Sequence, residues 1–84
     1  MYELASFVVR GKVRKKVLKN LIQPHTPTDL SLIIGSHRST TSRAIIALQN
    51  KGLVECITPN ESMGRYYRIT SLGKKVLKKL GDTN

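Results

Sequence analysis

The chain has 84 residues, which suffices for one small domain and leaves little room for the deep, loop-lined pocket of most enzymes. Fifteen lysines and arginines against five acids give a formal net charge of +10, which favours a polyanionic partner, nucleic acid before anionic membrane. Hydrophobic residues make up 39% and aromatic residues 5%, which excludes a disordered tail and predicts a core of Leu, Ile and Val.

The compartment is indicated by two features. A single cysteine, Cys56, excludes an internal disulfide and is typical of a reducing environment. No secretory signal pattern occurs, and no stretch approaches the roughly 20 apolar residues that would span a bilayer. We therefore expect a cytoplasmic protein with no membrane partner, forming one domain over residues 1–84.

The first third of the chain predicts at least one helix. Residues 1–9 are mostly apolar, and so short a run fits a helix or a strand equally well. Residues 11–22 predict a helix with lysines and Arg14 on its solvated face. Its apolar side is formed by Val13, Val17, Leu18, Leu21 and Ile22. His25 falls in the turn that follows, and no role is assigned to it.

Two further helices follow with very little between them. Thr26 is a good N-cap, Pro27 suits the first helical position, and Gly35 is a typical C-cap. The buried stripe of this helix is predicted to be Leu30, Ile33 and Ile34. The next helix covers residues 38–50, with Thr41, Ala44, Ile45 and Leu48 facing inward. Two helices joined by a short turn containing Gly predict a helix-turn-helix.

A hairpin and a last helix complete the predicted fold. Leu53–Ile57 and Tyr66–Thr70 are typical of strands, and residues 58–65 between them contain turn formers. Thr70 is expected to cap the last helix, whose apolar positions are Leu72, Val76, Leu77 and Leu80. The order predicts a mainly α fold with a small β-hairpin: a winged helix-turn-helix, its helices packed on a two- or three-stranded antiparallel sheet.

The outward face of the third helix has the chemistry of a DNA-binding surface. No acid occurs from Leu30 to Val54, and arginine, serine and threonine can bond to base edges or phosphates. Helix starts supply phosphate donors, and the loop at 58–65 supplies an arginine for a minor groove. Tyr67 is expected in the core, and Tyr66 near the DNA backbone. The predicted DNA-binding residues are Thr28, His37, Arg38, Ser39, Thr40, Ser42, Arg43, Ser62, Arg65 and Tyr66. The alternatives are that helix 38–50 is an ordinary polar surface helix and that Arg65 serves only solubility.

With these residues identified, the stretch from Thr26 to Leu77 resembles winged-helix transcriptional regulators of the MarR/ArsR type, especially short archaeal ones. The segments that carry the resemblance are Thr26–Leu30, Gly35–Arg43, Asn50–Val54 and Gly64–Thr70, followed by Gly73. The resemblance implies a recognition helix starting near Arg38 and a wing based at Gly64 and Arg65. It also implies a homodimer that reads two half-sites, with residues 1–10 and 74–84 forming the dimer contact.

The resemblance does not extend to effector sensing. The cysteine pair of ArsR-type metal sensors is missing, and 84 residues cannot hold the long dimerisation helices of larger MarR-type proteins. No small-molecule ligand or cofactor is therefore expected. His25, His37 and Cys56 are too few for a four-ligand zinc site. Serines and histidines occur near residues 36–39, but Asp29 is the only acid near them in sequence, and no oxyanion-hole motif accompanies them. No enzyme is therefore predicted.

The sequence thus predicts a sequence-specific, double-stranded DNA-binding transcriptional regulator. Its helix 38–50 would lie in the major groove, and its wing, residues 58–65, on the adjacent minor groove or backbone. Two alternatives stay open: a winged-helix protein–protein module of a transcription or replication assembly, and a non-specific nucleic-acid-binding protein.

Overall fold

The structure, a computed structural model, describes residues 2–81. In this range the helices are α1 (Tyr2–Arg10), α2 (Arg14–Asn20), α3 (Pro27–Ile34), α4 (Arg38–Asn50) and α5 (Ser71–Lys79), and the strands are β1 (Val54–Cys56) and β2 (Tyr67–Ile69). The strands pair antiparallel, with Val54 opposite Ile69. This order confirms the predicted winged helix-turn-helix, and the N-terminal segment that the sequence left open is a helix. Met1 and residues 82–84, which belong to the predicted dimer segments, lie outside the described residues.

One apolar core joins the helices to the hairpin. The inward stripe of α4 is buried as predicted, and α2 lies between α4 and α5 in the packing. The core residues are Ala5, Val8, Val17, Leu18, Leu21, Leu30, Ala44, Ile45, Leu48, Leu53, Val54, Tyr67, Ile69, Val76 and Leu77. Because leucine, isoleucine and valine fill it, the core fixes α4 with one face inward and the opposite face in solvent.

The helix predicted over residues 11–22 is shorter at both ends, and the reason for its early C-terminal end lies in the sheet. The backbone N–H of Ile69 donates to the carbonyl of Leu21 at 2.8 Å, so the chain leaves the helix there to run beside β2. His25 and Tyr67 then exchange two backbone hydrogen bonds, of 3.1 and 2.9 Å. The two-stranded sheet therefore has an extra bridge at His25, which is more than a turn residue. The prediction that Ile22 packs inward was wrong, since it is 44% exposed.

The start and end of α3 are as predicted, but its buried side is not. The hydroxyl of Thr26 accepts from the N–H of Asp29 at 3.1 Å, and Gly35 adopts a left-handed conformation with φ of 69°. Ile33, predicted to be buried, is 52% exposed, because Leu30 and Ser31 are the positions that turn toward the core. A 100° step per residue then places Ile34 beside Leu30 and turns Ile33 away.

The Thr70 hydroxyl links α5 to the turn before β1, and its contribution to the free energy of unfolding can be measured. This hydroxyl accepts from the N–H of Gly73 at 3.0 Å and donates to the carbonyl of Gly52 at 2.7 Å. We expect Thr70→Val to lower the free energy of unfolding by ~1–2 kcal/mol, because the cap and the second bond are lost together. Urea denaturation measures the change. Thr26→Val is the matched control, since that hydroxyl makes one capping bond, and an equal loss in both variants would show that the bond to Gly52 contributes nothing.

Candidate nucleic-acid interface

The solvent side of α4 is a narrow strip directly opposite its buried stripe. With about 100° between successive residues, Ser39, Arg43, Ile46 and Asn50 fall within an arc of about 60°. All four are exposed. Apart from the buried Thr41, the other polar positions of the helix flank this strip, some toward the wing and some toward the start of α2. The helix therefore presents one central strip with a groove on each side.

The groove on the wing side gathers half of the predicted DNA-binding residues. It runs between the start of α3, the start of α4 and the loop that joins β1 to β2. The predicted residues that line it are Thr28, Arg38, Ser42, Ser62 and Arg65. Thr26, Pro27, Gly64 and Tyr67 complete the lining. Two guanidinium groups and several hydroxyls on a shared cleft are the groups that bind phosphate oxygens in duplex DNA.

The groove on the opposite side of α4 holds two more of the predicted residues, Thr40 and Arg43. They line it together with Lys12 and Arg14 from the start of α2. Arg14 is held against α1: its guanidinium carbon lies 3.9 Å from the centroid of the Phe7 ring, and its Nη1 donates to the Phe7 carbonyl at 2.7 Å. Lys12 is exposed. The exposed cations on this side are therefore Lys12 and Arg43.

The wing is held in shape by bonds within its own loop. The N–H of Tyr66 donates to the hydroxyl of Thr58 at 2.9 Å, and the N–H of Glu61 donates to the Thr58 carbonyl at 3.1 Å. Arg65 donates from Nε to the Glu61 carbonyl at 2.7 Å. A guanidinium has five N–H donors, so its remaining donors stay available for a phosphate or a base. Gly64, with φ of 64°, supplies the left-handed turn that returns the chain to β2.

His37 occupies the N-cap of α4, but its imidazole does not form the capping bond. Its backbone carbonyl accepts from both the N–H and the hydroxyl of Thr41, at 2.9 and 3.0 Å. The side chain makes no cap hydrogen bond and is exposed. The imidazole therefore lies at the helix N-terminus, where the partial positive charge of the helix favours an anion.

Several residues of this surface were not among the predicted DNA-binding residues, and Lys12, Tyr67 and Ile46 are the most informative of them. Lys12 was counted with the solvated charges, and nothing in the sequence indicated that the start of α2 lies beside Thr40. Tyr67 is buried as expected, yet it also lines the wing-side groove. Tyr66, expected near the DNA backbone, is exposed and does not line that groove. Ile46 is apolar and exposed on the central strip. Its spacing from Ser39 and Arg43 could have revealed it.

Among the residues that line the two grooves, none is acidic. Asp29 is in the first turn of α3, Glu61 is in the wing, and Glu55 pairs with Arg68 at 3.2 Å on the exposed side of the hairpin. Among residues 2–81, no cluster of three or more His, Cys, Asp or Glu could hold a metal ion. Within the same range, no helix has the length and apolarity to cross a membrane.

Several solved structures are similar to this fold. The chain matches no family model, and no curated protein is similar to it in sequence. A solved mutant of MarR from E. coli, in complex with operator DNA, is 24% identical with a TM-score of 0.70 over 81% of this chain and 51% of that one. The transcriptional regulator Tm0710 from Thermotoga maritima is 21% identical, with a TM-score of 0.74 over 94% and 61%. A mutant of ZitR from Lactococcus lactis is 17% identical, with a TM-score of 0.71 over 82% and 49%. The chain thus spans about half to three fifths of the length of these proteins, and it has the winged helix-turn-helix fold of MarR-family transcription regulators.

Proposed function

We propose that the chain is a sequence-specific regulator that binds double-stranded DNA, with α4 in the major groove and the wing on the adjacent minor groove or backbone. The observation that carries this proposal is the surface around α4. A polar strip bearing Arg43 is bordered by Arg38 and Arg65 on one side and by Lys12 on the other. The E. coli MarR structure with the same fold was solved with operator DNA, which supports the same use of the fold here.

Each part of this surface has a distinct task in the proposed complex. Ser39 and Arg43, on the strip that enters the groove, read base edges, and Arg43 can grip O6 and N7 of a guanine with two hydrogen bonds. Arg38, Ser42 and Thr28 border the wing-side groove and bind phosphates, which fixes the register without reading sequence. His37 adds a phosphate contact at the N-terminus of α4. Arg65 and Ser62, from the wing, reach the minor groove or its rim, and Tyr66 lies beside the backbone.

The proposed regulator is a homodimer. Support comes from α1, where Tyr2 is 77% and Val9 is 56% exposed although both are large and apolar. The Lys79 ammonium lies 4.3 Å from the centroid of the Tyr2 ring, so α1 and α5 present one continuous surface. A dimer formed by contacts between these helices would bind two half-sites about one helical turn of DNA apart. Membership among short archaeal proteins and a cytoplasmic location stay predictions from the sequence.

Selection from randomised duplexes tests the proposed function. The purified protein is incubated with the pool at about 150 mM salt, where purely electrostatic binding is suppressed and specific complexes survive. An enriched inverted repeat supports a dimeric, sequence-specific regulator. Retention without any enriched sequence contradicts the proposal and favours non-specific binding, and no retention at all favours a protein–protein module.

Arg43 provides the sharpest single test of base reading. We expect Arg43→Ala to weaken binding to the selected sequence by ~1–3 kcal/mol, or roughly 5- to 150-fold in Kd, and to relax the preference at one position of each half-site. Competition titrations with single-base variants measure both effects. Lys19→Ala is the control, because Lys19 is exposed near the end of α2 and lines neither groove beside α4, so the variant removes one positive charge from outside the surface. Equal losses in the two variants would remove Arg43 from the base-reading role.

A further inference from the structure

An exposed isoleucine lies at the centre of the strip that the proposed function places against the bases. Ile46 follows Arg43 by three residues and Ser39 by seven, and its side chain is 52% exposed. A rise of 1.5 Å per residue puts it about 10 Å along the helix from Ser39. The major groove is wide enough, at roughly 12 Å, to admit an α-helix, and a helix lying in it turns one face to the base edges. An α4 docked in this way brings Ile46 to the base edges together with Ser39 and Arg43.

We infer that Ile46 is a specificity-determining residue that contacts the C5-methyl group of a thymine in each half-site. The inference rests on the proposed DNA-binding function. Isoleucine can neither donate nor accept a hydrogen bond, so it cannot bind a phosphate or a polar base edge. The thymine methyl is the apolar group that the four natural bases display in the major groove. Burial of the Ile46 side chain against it removes apolar surface of both partners from water.

The flanking residues restrict where this contact can occur. Arg43 lies within the same arc of α4, one turn nearer its N-terminus, and Asn50 lies one turn nearer its C-terminus. The thymine is therefore expected within a few base pairs of the position that Arg43 reads, in a fixed direction along the half-site. Exposure alone would not single out Ile46, since exposed apolar residues are common. Its place does, because it shares the exposed strip with Ser39 and Arg43, which the proposed function puts against the base edges.

Uracil substitution tests the contact directly, because deoxyuridine pairs like thymidine and lacks only the methyl group. Each thymine of the sequence selected by the wild-type protein is replaced in turn, and Kd is measured for the wild type and for Ile46→Ala. For one thymine of each half-site, we expect the substitution to weaken wild-type binding about 4-fold, the value of one buried methyl-sized group. The same substitution should leave binding by Ile46→Ala unchanged.

A matched isoleucine serves as control. Ile33 on α3 is also 52% exposed, so Ile33→Ala removes an equally exposed side chain from outside the strip. It should keep the full sensitivity to uracil. Circular dichroism of Ile46→Ala checks folding, which a half-exposed position should leave intact. The inference is overturned if every thymine of the enriched sequence can be replaced without loss of affinity, or if uracil weakens binding equally for the wild type and Ile46→Ala. Either outcome is compatible with the proposed DNA-binding function. If no sequence is enriched at all, the inference and the proposed function both fail.

Discussion

Gly73→Ala should lower the free energy of unfolding by about 3 kcal/mol, although alanine favours a helix over glycine by about 1 kcal/mol. Gly73 is buried in the first turn of α5. A Cβ atom there would lie 2.2 Å from the carbonyl oxygen of Leu53 and 2.6 Å from Cγ1 of Ile69. The Leu53 carbonyl already accepts a hydrogen bond from the N–H of Thr70 at 3.0 Å, so moving this carbonyl away from the new Cβ atom would break that bond. Helix α5 must therefore move away from the hairpin.

Urea unfolding followed by circular dichroism measures this loss, and a thermal scan should show a fall in Tm on the order of 15 °C. Lys75→Ala is the control on the same helix, and because Lys75 is exposed its effect should stay within about 0.5 kcal/mol. A Gly73→Ala protein as stable as the wild type would mean that α5 does not approach β1 as closely as the structure places it.

Helix α4 shows what the sequence alone could predict. Its stripe of Thr41, Ala44, Ile45 and Leu48 repeats at three and four residues, and Gly52 follows its end, so local chemistry determines both its bounds and its buried side. The structure confirms residues 38–50 as predicted. The caps at Thr26 and Thr70 were predictable for the same reason, since each is a bond within one turn of the helix.

The errors arise where distant parts of the chain decide the outcome. Leu21 leaves the helix because its carbonyl bonds to Ile69, which lies 48 residues further along, and no local pattern contains that partner. The run Leu32-Ile33-Ile34 is apolar on every side, so periodicity could not choose which residue turns inward. In the candidate interface, the residue types were predictable. Their division between two grooves was not, because it depends on where the wing and the start of α2 pack against α4.

The salt dependence of DNA binding should separate a bound dimer from a bound monomer. Three cations border the strip of α4: Lys12 on one side, and Arg38 and Arg65 on the other. If each neutralises one phosphate, with Arg65 at the rim of the minor groove, and Arg43 reads a base, then a monomer makes three phosphate contacts and a dimer six. The slope of log K against log salt is then about −2.7 for a monomer and about −5.4 for a dimer.

Between 50 and 200 mM salt, these slopes correspond to losses of affinity of ~40-fold for a monomer and ~2,000-fold for a dimer. Fluorescence anisotropy titrations on the selected duplex across that range measure the slope. Arg65→Ala should make the dimer slope shallower by about 1.8, one contact from each subunit, and Lys19→Ala should leave it unchanged. A slope that Arg65→Ala does not alter would place the wing away from the phosphates. In that case the groove between α3, α4 and the wing would not be the surface that orients the protein on DNA.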